Sequence, residues 1–227
     1  MSLLGGAVVA IWNDITAEGR SNFIEWHNRE HIPERVAIPG FYRGRRYVAD
    51  YGTPEYFTLY EARDAKVLVG EPYLQRLNHP TAWTKDATAH FRNTVRGVCA
   101  LAYSKGTGVG AFMLTLRFDA DPARAQALRS FLINEALPPL GELAGISGVH
   151  LCIADAAASG LETAERKGRD VGVPNWIVMI EGSWKQPVDD AADTLLTHDL
   201  KSRGCTVDPL RGLYRLEFSR VDPEPFA

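Results

Sequence analysis

Two histidines, His27 and His31, stand four residues apart in the segment EWHNREHIPERVAIPGF (25–41), where a helix would bring both imidazoles onto one face. Such a pair could ligate a metal, hold haem iron or move a proton. A metal site needs a third ligand and an open position. HNREH lacks the glutamate that follows the first histidine in the zinc-protease pattern, and no spacing singles out Glu61, His79 or His90 as the third ligand. Haem would need one imidazole as axial ligand, and the chain carries no attachment motif. Proton transfer asks for least, because imidazole titrates near neutral pH. His31 is expected in the last helical turn before Pro33, where the helix dipole favours imidazolium and burial opposes it. The plain alternative is two structural histidines bonded to backbone carbonyls. The expectation is catalysis by His31 assisted by His27, with no metal.

The elements that must position this pair occur twice. EHIPERVAIPGFYRGRRYV (30–48) lies without a gap over EALPPLGELAGISGVHLCI (135–153), at a constant offset of 105 residues. Further matches keep the same order: YFTLYE (56–61) with WIVMIE (176–181), RGVCALAYSK (96–105) with RGLYRLEFSR (211–220), and Gly6-Ala7 with Gly110-Ala111. Between these anchors each half reads as strand, helix, two strands, helix and strand. That order is the ferredoxin-like split β-α-β unit, a four-stranded antiparallel sheet with its helices on one face. A second copy in the same chain can cover the other face, so the predicted architecture is α+β, two fused repeats forming a pseudo-dimeric α/β barrel. The predicted division is 1–105 and 106–227, with a seam at SKGTGVG (104–110) and a long insertion near 155–175 in the second repeat that reads as a mobile loop or flap. Asp121-Pro122 and Thr16 are expected to start the first helix of each half, and Ile32 and Leu137, each before a proline, to end it.

The comparison of halves bears on the histidines. Leu128, Phe131, Leu132 and Ala136 form a core-facing stripe at helical spacing, and the offset places Phe23, Trp26, His27 and His31 on the same stripe. Both rings should therefore face the sheet. Burying them without partners costs about 1–3 kcal/mol each, so the first repeat is expected to hold a polar pocket where the second is plain core.

The run WHNREHIPERVAIPGF, with RGRRYV, YFTLYEA and NHPTAW after it, resembles the EthD-like members of the dimeric α/β barrel superfamily in a tandem-duplicated form. The resemblance covers nearly all of the first half and, more faintly, the second. It implies a small-molecule protein with its pocket on the sheet, of the kind found among cofactor-independent monooxygenases, polyketide cyclases, muconolactone isomerases and haem-degrading enzymes. FLINEALPP in place of WHNREHIPE implies one active site rather than two.

Trp26, Arg46, Tyr60, Trp83 and Asn13 are the candidate substrate-binding residues. Alternation sends Arg43 and Arg45 to one sheet face and Arg46 to the other. Arg46 is chosen because its counterpart Leu151 is apolar, while Arg43 and Arg45 are expected at a solvated or barrel-rim position. An arginine in the pocket would favour an anionic substrate. Trp83 is expected to roof the cavity from a loop, with Trp12 also near it. Glu61 and Arg96, repeated as Glu181 and Arg211, are read as architecture. The expected ligand is an apolar or aromatic small molecule acted on by oxygenase, isomerase or cyclase chemistry without a cofactor. The alternative is a non-catalytic binder of such a molecule or of haem. A net charge of −3 and the absence of like-charge blocks speak against nucleic acid. Three scattered cysteines, and an apolar start too short to span a bilayer, fit a cytoplasmic, membrane-free protein. Exposed sheet edges would permit a further homodimer.

Overall fold

The computed structural model describes residues 2–161, 163–165 and 171–221. Among the described residues, strands β1 (Ala7–Ile15), β2 (Phe41–Tyr51), β3 (Tyr56–Ala62), β4 (Phe91–Gly106), β5 (Phe112–Phe118), β6 (Ile146–Ala154), β7 (Trp176–Gly182) and β8 (Leu210–Val221) close into one antiparallel barrel. Its order, β1-β3-β2-β8-β5-β7-β6-β4, contains the same four-strand arrangement twice. The two sheets do more than face each other. They join along both sides, β2 to β8 and β4 to β6. Closure leaves no free edge, which removes the edge-pairing reason for a further homodimer. The halves also agree in register, since Ile11 faces Thr58 and Leu116 faces Val178.

The first helix of each half does not stop at its proline. In the first half α1 (Arg20–Trp26) runs through a π-turn, His27–His31, into α2 (Ile32–Val36), with the Ile32 N–H bonded to the His27 carbonyl. The wider turn adds one residue just ahead of Pro33, whose ring and missing N–H would disrupt an ordinary helical ladder. The other helices are α3 (Glu71–Asn78), α4 (Ala82–Ala89), α5 (Ala125–Phe131), α6 (Leu137–Leu140), α7 (Ala156–Ser159) and α8 (Lys185–Leu196). A second π-turn, Leu132–Ala136, joins α5 to α6 before Pro138 and lies 105 residues after the first. It carries no imidazole, so the π-turn belongs to the architecture. Gly40 and Gly145, just after the two helices, have φ of +91° and +85°, a turn that a side chain would strain. Asp121-Pro122 forms a turn ahead of α5, which begins at Ala125. The Thr16 hydroxyl contacts the His90 ring at 2.8 Å instead of capping a helix.

Two kinds of interior result. On the helix side of the second half, Leu128, Phe131 and Leu132 pack on Leu116, Val178 and Ile180 in an apolar layer. Inside the barrel, Trp12, Phe57 and Leu59 meet Met113, Met179 and Tyr214 across the halves. Arg43 and Arg45 lie in this interior and not at a solvated rim. Arg45 is fully buried between Glu61 (2.9 Å) and Glu181 (2.6 Å), and Arg43 also holds Glu61, at 2.7 Å. Period-two alternation separates two faces but does not say which is wet, and here both are dry. The three cysteines are free and buried. Among the described residues, no helix is long and apolar enough to cross a membrane.

Candidate functional site

Under the first helix lies a small pocket, open at its mouth. The stripe that includes Phe23, Trp26, His27 and His31 is buried against it. Trp26 is fixed from behind by its indole N–H, which donates to the Thr84 hydroxyl on α4 at 3.2 Å. Its ring lies 4.2 Å from His31 and 5.2 Å from His27, and the two imidazoles are 5.5 Å apart. The floor is a row across three strands, Thr58 on β3, Ile11 on β1 and Arg96 on β4. Asn13 and Tyr60 extend it, and Tyr73 and Leu77 of α3 form a wall.

The second half closes the site of the first. Glu165 and Val171, from the insertion near 155–175, line the pocket. Glu165 pairs with the buried Arg35 at 2.5 Å, and the Glu165 N–H donates to the Leu77 carbonyl. Gly172 exchanges backbone hydrogen bonds with β4, receiving from Arg96 and donating to Thr94. Residues 162 and 166–170 of the insertion lie outside the described residues.

Among the described residues, four buried polar atoms of this pocket have no hydrogen-bond partner: Asn13 Nδ2, His27 Nδ1, Thr58 Oγ1 and Tyr60 OH. Burial, then the nearby Arg46 and Arg35, push His27 well below the usual histidine value, so its ring is neutral at neutral pH. Burial pushes Tyr60 well above the usual phenol value, which keeps its hydroxyl a donor. In the second half the same register gives Phe118 for Asn13, Leu132 for His27, Leu140 for Arg35, Val178 for Thr58 and Ile180 for Tyr60. Each of these five polar residues has an apolar double.

The structure therefore gathers His27, His31, Trp26, Asn13 and Tyr60 around one pocket. Arg46 and Trp83 are placed elsewhere. Arg46 reaches the helix, donating to Asn28 Oδ1 at 2.8 Å and to Glu217 at 3.1 Å. Its polar neighbours draw it aside, although the apolar counterpart Leu151 made it a candidate. Trp83 sits in α4 rather than a loop, and its N–H donates to Asn22 at 2.7 Å. Trp12 points into the barrel and stacks on Phe57 at 4.7 Å. Arg35, Thr58, Tyr73 and Arg96 were not foreseen as lining residues, and the position-by-position contrast with the second half would have found Arg35 and Thr58. Glu61 lies in the barrel, His79 contacts the Gln75 carbonyl and His90 contacts Thr16, so none of them joins the pair. Among the described residues no cluster of three metal-ligating side chains occurs.

No protein-family model and no curated relative matches the chain. Solved structures do. An anthrone oxidase-like protein superposes with a TM-score of 0.65 at 14% identity, over 97% of this chain and 94% of the other. The fold is that of the dimeric α/β barrels. A candidate monooxygenase from Fusobacterium nucleatum has the same barrel, with a TM-score of 0.61 at 8% identity and 96% of both chains covered. So has a heme-binding protein from Thermus thermophilus, with a TM-score of 0.55 at 9% identity, over 95% of this chain and 92% of the other. In this dimeric α/β barrel the two halves belong to one chain, and among the described residues the imidazole-lined pocket lies under the helix of the first.

Proposed function

We propose that the chain is a small-molecule enzyme in which His31, assisted by His27, moves a proton of an aromatic or enolisable ligand lying against Trp26. The observation that carries this reading is the set of four unpartnered polar atoms on one pocket, each on a residue whose counterpart in the other half is apolar. Leaving a buried polar group unpaired costs about 1–3 kcal/mol, and a ligand bearing oxygen removes that cost. Asn13, Thr58 and Tyr60 supply donors for an oxygen that gains negative charge as the proton leaves. Oxygenase, isomerase and cyclase reactions share this opening step, and the anthrone oxidase-like and monooxygenase neighbours make a carbon acid that reacts with dioxygen the first class to try.

Haem is a second reading, prompted by the heme-binding neighbour. The lining fits it poorly. Either imidazole offers a nitrogen to iron, but Asn13, Thr58 and Tyr60 would face the hydrocarbon of a macrocycle and stay unpartnered.

The test is incubation of the purified protein with anthrone, 1-naphthol and acetylacetone, following melting temperature, dioxygen uptake and exchange of carbon-bound hydrogen with solvent deuterium. At least one compound should raise the melting temperature and lose its proton faster than in buffer. Binding without exchange or oxidation would favour the non-catalytic reading, and a haem band in the visible spectrum would overturn the cofactor-free one.

A further inference from the structure

We propose that the ligand of this pocket is an anion, a carboxylate or a phenolate-type oxyanion, received by Arg96. The proposal rests on the reading of the pocket given above and adds the charge class of what enters it. Arg96 is 7% exposed and lines the pocket floor beside Ile11. Its guanidinium donates to the Tyr73 hydroxyl at 3.0 Å and, among the described residues, meets no carboxylate. An enclosed cation without a counter-charge is costly, and such groups are ordinarily paired.

The chain carries its own comparison. Arg211, the counterpart of Arg96 on the last strand of the second half, is held by Asp189 at 2.6 Å and Asp193 at 2.5 Å, with Tyr51 accepting at 2.7 Å. Both aspartates project from α8, the helix between the third and fourth strands of that half. The helix in the same place in the first half, α3, presents Tyr73 and Leu77 to the pocket instead. The arginine is kept in both halves, and the carboxylates are missing from the half that has the cavity. Arg35, the other guanidinium of the pocket, is already answered by Glu165 and Glu34, so among the described residues Arg96 is left with an unmatched positive charge. A planar guanidinium beside a phenol hydroxyl is a good receptor for an anionic oxygen pair.

The experiment uses isosteric probes, benzoate against benzamide and 1-naphthoate against 1-naphthamide, with dissociation constants from calorimetry on the native chain, Arg96→Gln and Arg211→Gln. The native chain should bind each carboxylate about tenfold or more tighter than its amide. Arg96→Gln should abolish that preference, while Arg211→Gln should keep it. If Arg96→Gln does not fold, the native preference and its weakening in Arg96→Lys decide. Amides binding as tightly as carboxylates to the native chain would overturn the anion assignment and leave the pocket standing. Failure of all four probes to bind at millimolar concentration would overturn both.

Discussion

Replacing His31 by alanine is expected to lower turnover of a carbon acid such as anthrone by about 10²–10⁴-fold, the usual contribution of a positioned general base. Melting should change little. The imidazole lies against Trp26 and lines a cavity, so its removal enlarges a space that already exists. Burial, Arg46 and Arg35 hold His27 neutral and make it a weaker proton acceptor, which is why the proposal gives the role of base to His31. Saturating kinetics decide the point. A loss in kcat with intact binding supports the role given to His31, and unchanged kcat contradicts it.

Replacing Arg45 by methionine is expected to destabilise the fold by about 3–5 kcal/mol, the cost of removing one member of a buried ionic cluster. Its guanidinium is enclosed between Glu61 of the first half and Glu181 of the second. Glu61 would keep Arg43 and the Leu4 N–H, at 2.7 and 2.8 Å. Glu181 would keep the Ser2 hydroxyl at 2.6 Å and the Gly110 N–H at 3.1 Å but no cation. Pairing the change with Glu181→Gln should therefore cost less than the two single changes added together. Urea titration of the four proteins measures this. A loss below about 1 kcal/mol for Arg45→Met, the range of an exposed pair, would show that the ion pairs of Arg45 with Glu61 and Glu181 do not stabilise the barrel.

The fold was legible because the chain repeats itself. Glu30, Pro33 and Gly40 return as Glu135, Pro138 and Gly145, and the order of elements between them admits few arrangements. The histidine stripe was legible for the same reason, since leucine and alanine at the matching positions mark that face as buried. The continuation of the helices past Pro33 and Pro138 was not, because local preference argues for an end there and the π-turn that overrides it has no residue signature. The barrel charges were hidden by geometry. Arg43 and Arg45 alternate as a strand requires, but a barrel wrapped in helices buries both faces of its sheet. Arg35 and Thr58 were within reach of the comparison that picked out the histidines, as Leu140 and Val178 show. Arg96 escaped it because both halves keep the arginine and differ only in its partners, Tyr73 in one and two aspartates in the other. The contribution of Glu165 from the other half lay in a loop without a repeated counterpart.

On the proposed reading the first half keeps polar groups under its helix for a ligand, at the expense of stability. The triple change His27→Leu, Thr58→Val and Tyr60→Phe carries three of the lining residues toward the second half's apolar character. Urea titration of this variant with and without 1-naphthoate is the most direct measurement. The variant should be more stable than the native chain by about 2–4 kcal/mol, since three unpaired polar groups are removed, and naphthoate should lose its stabilising effect. A variant less stable than the native chain, or one that naphthoate stabilises as before, would contradict it.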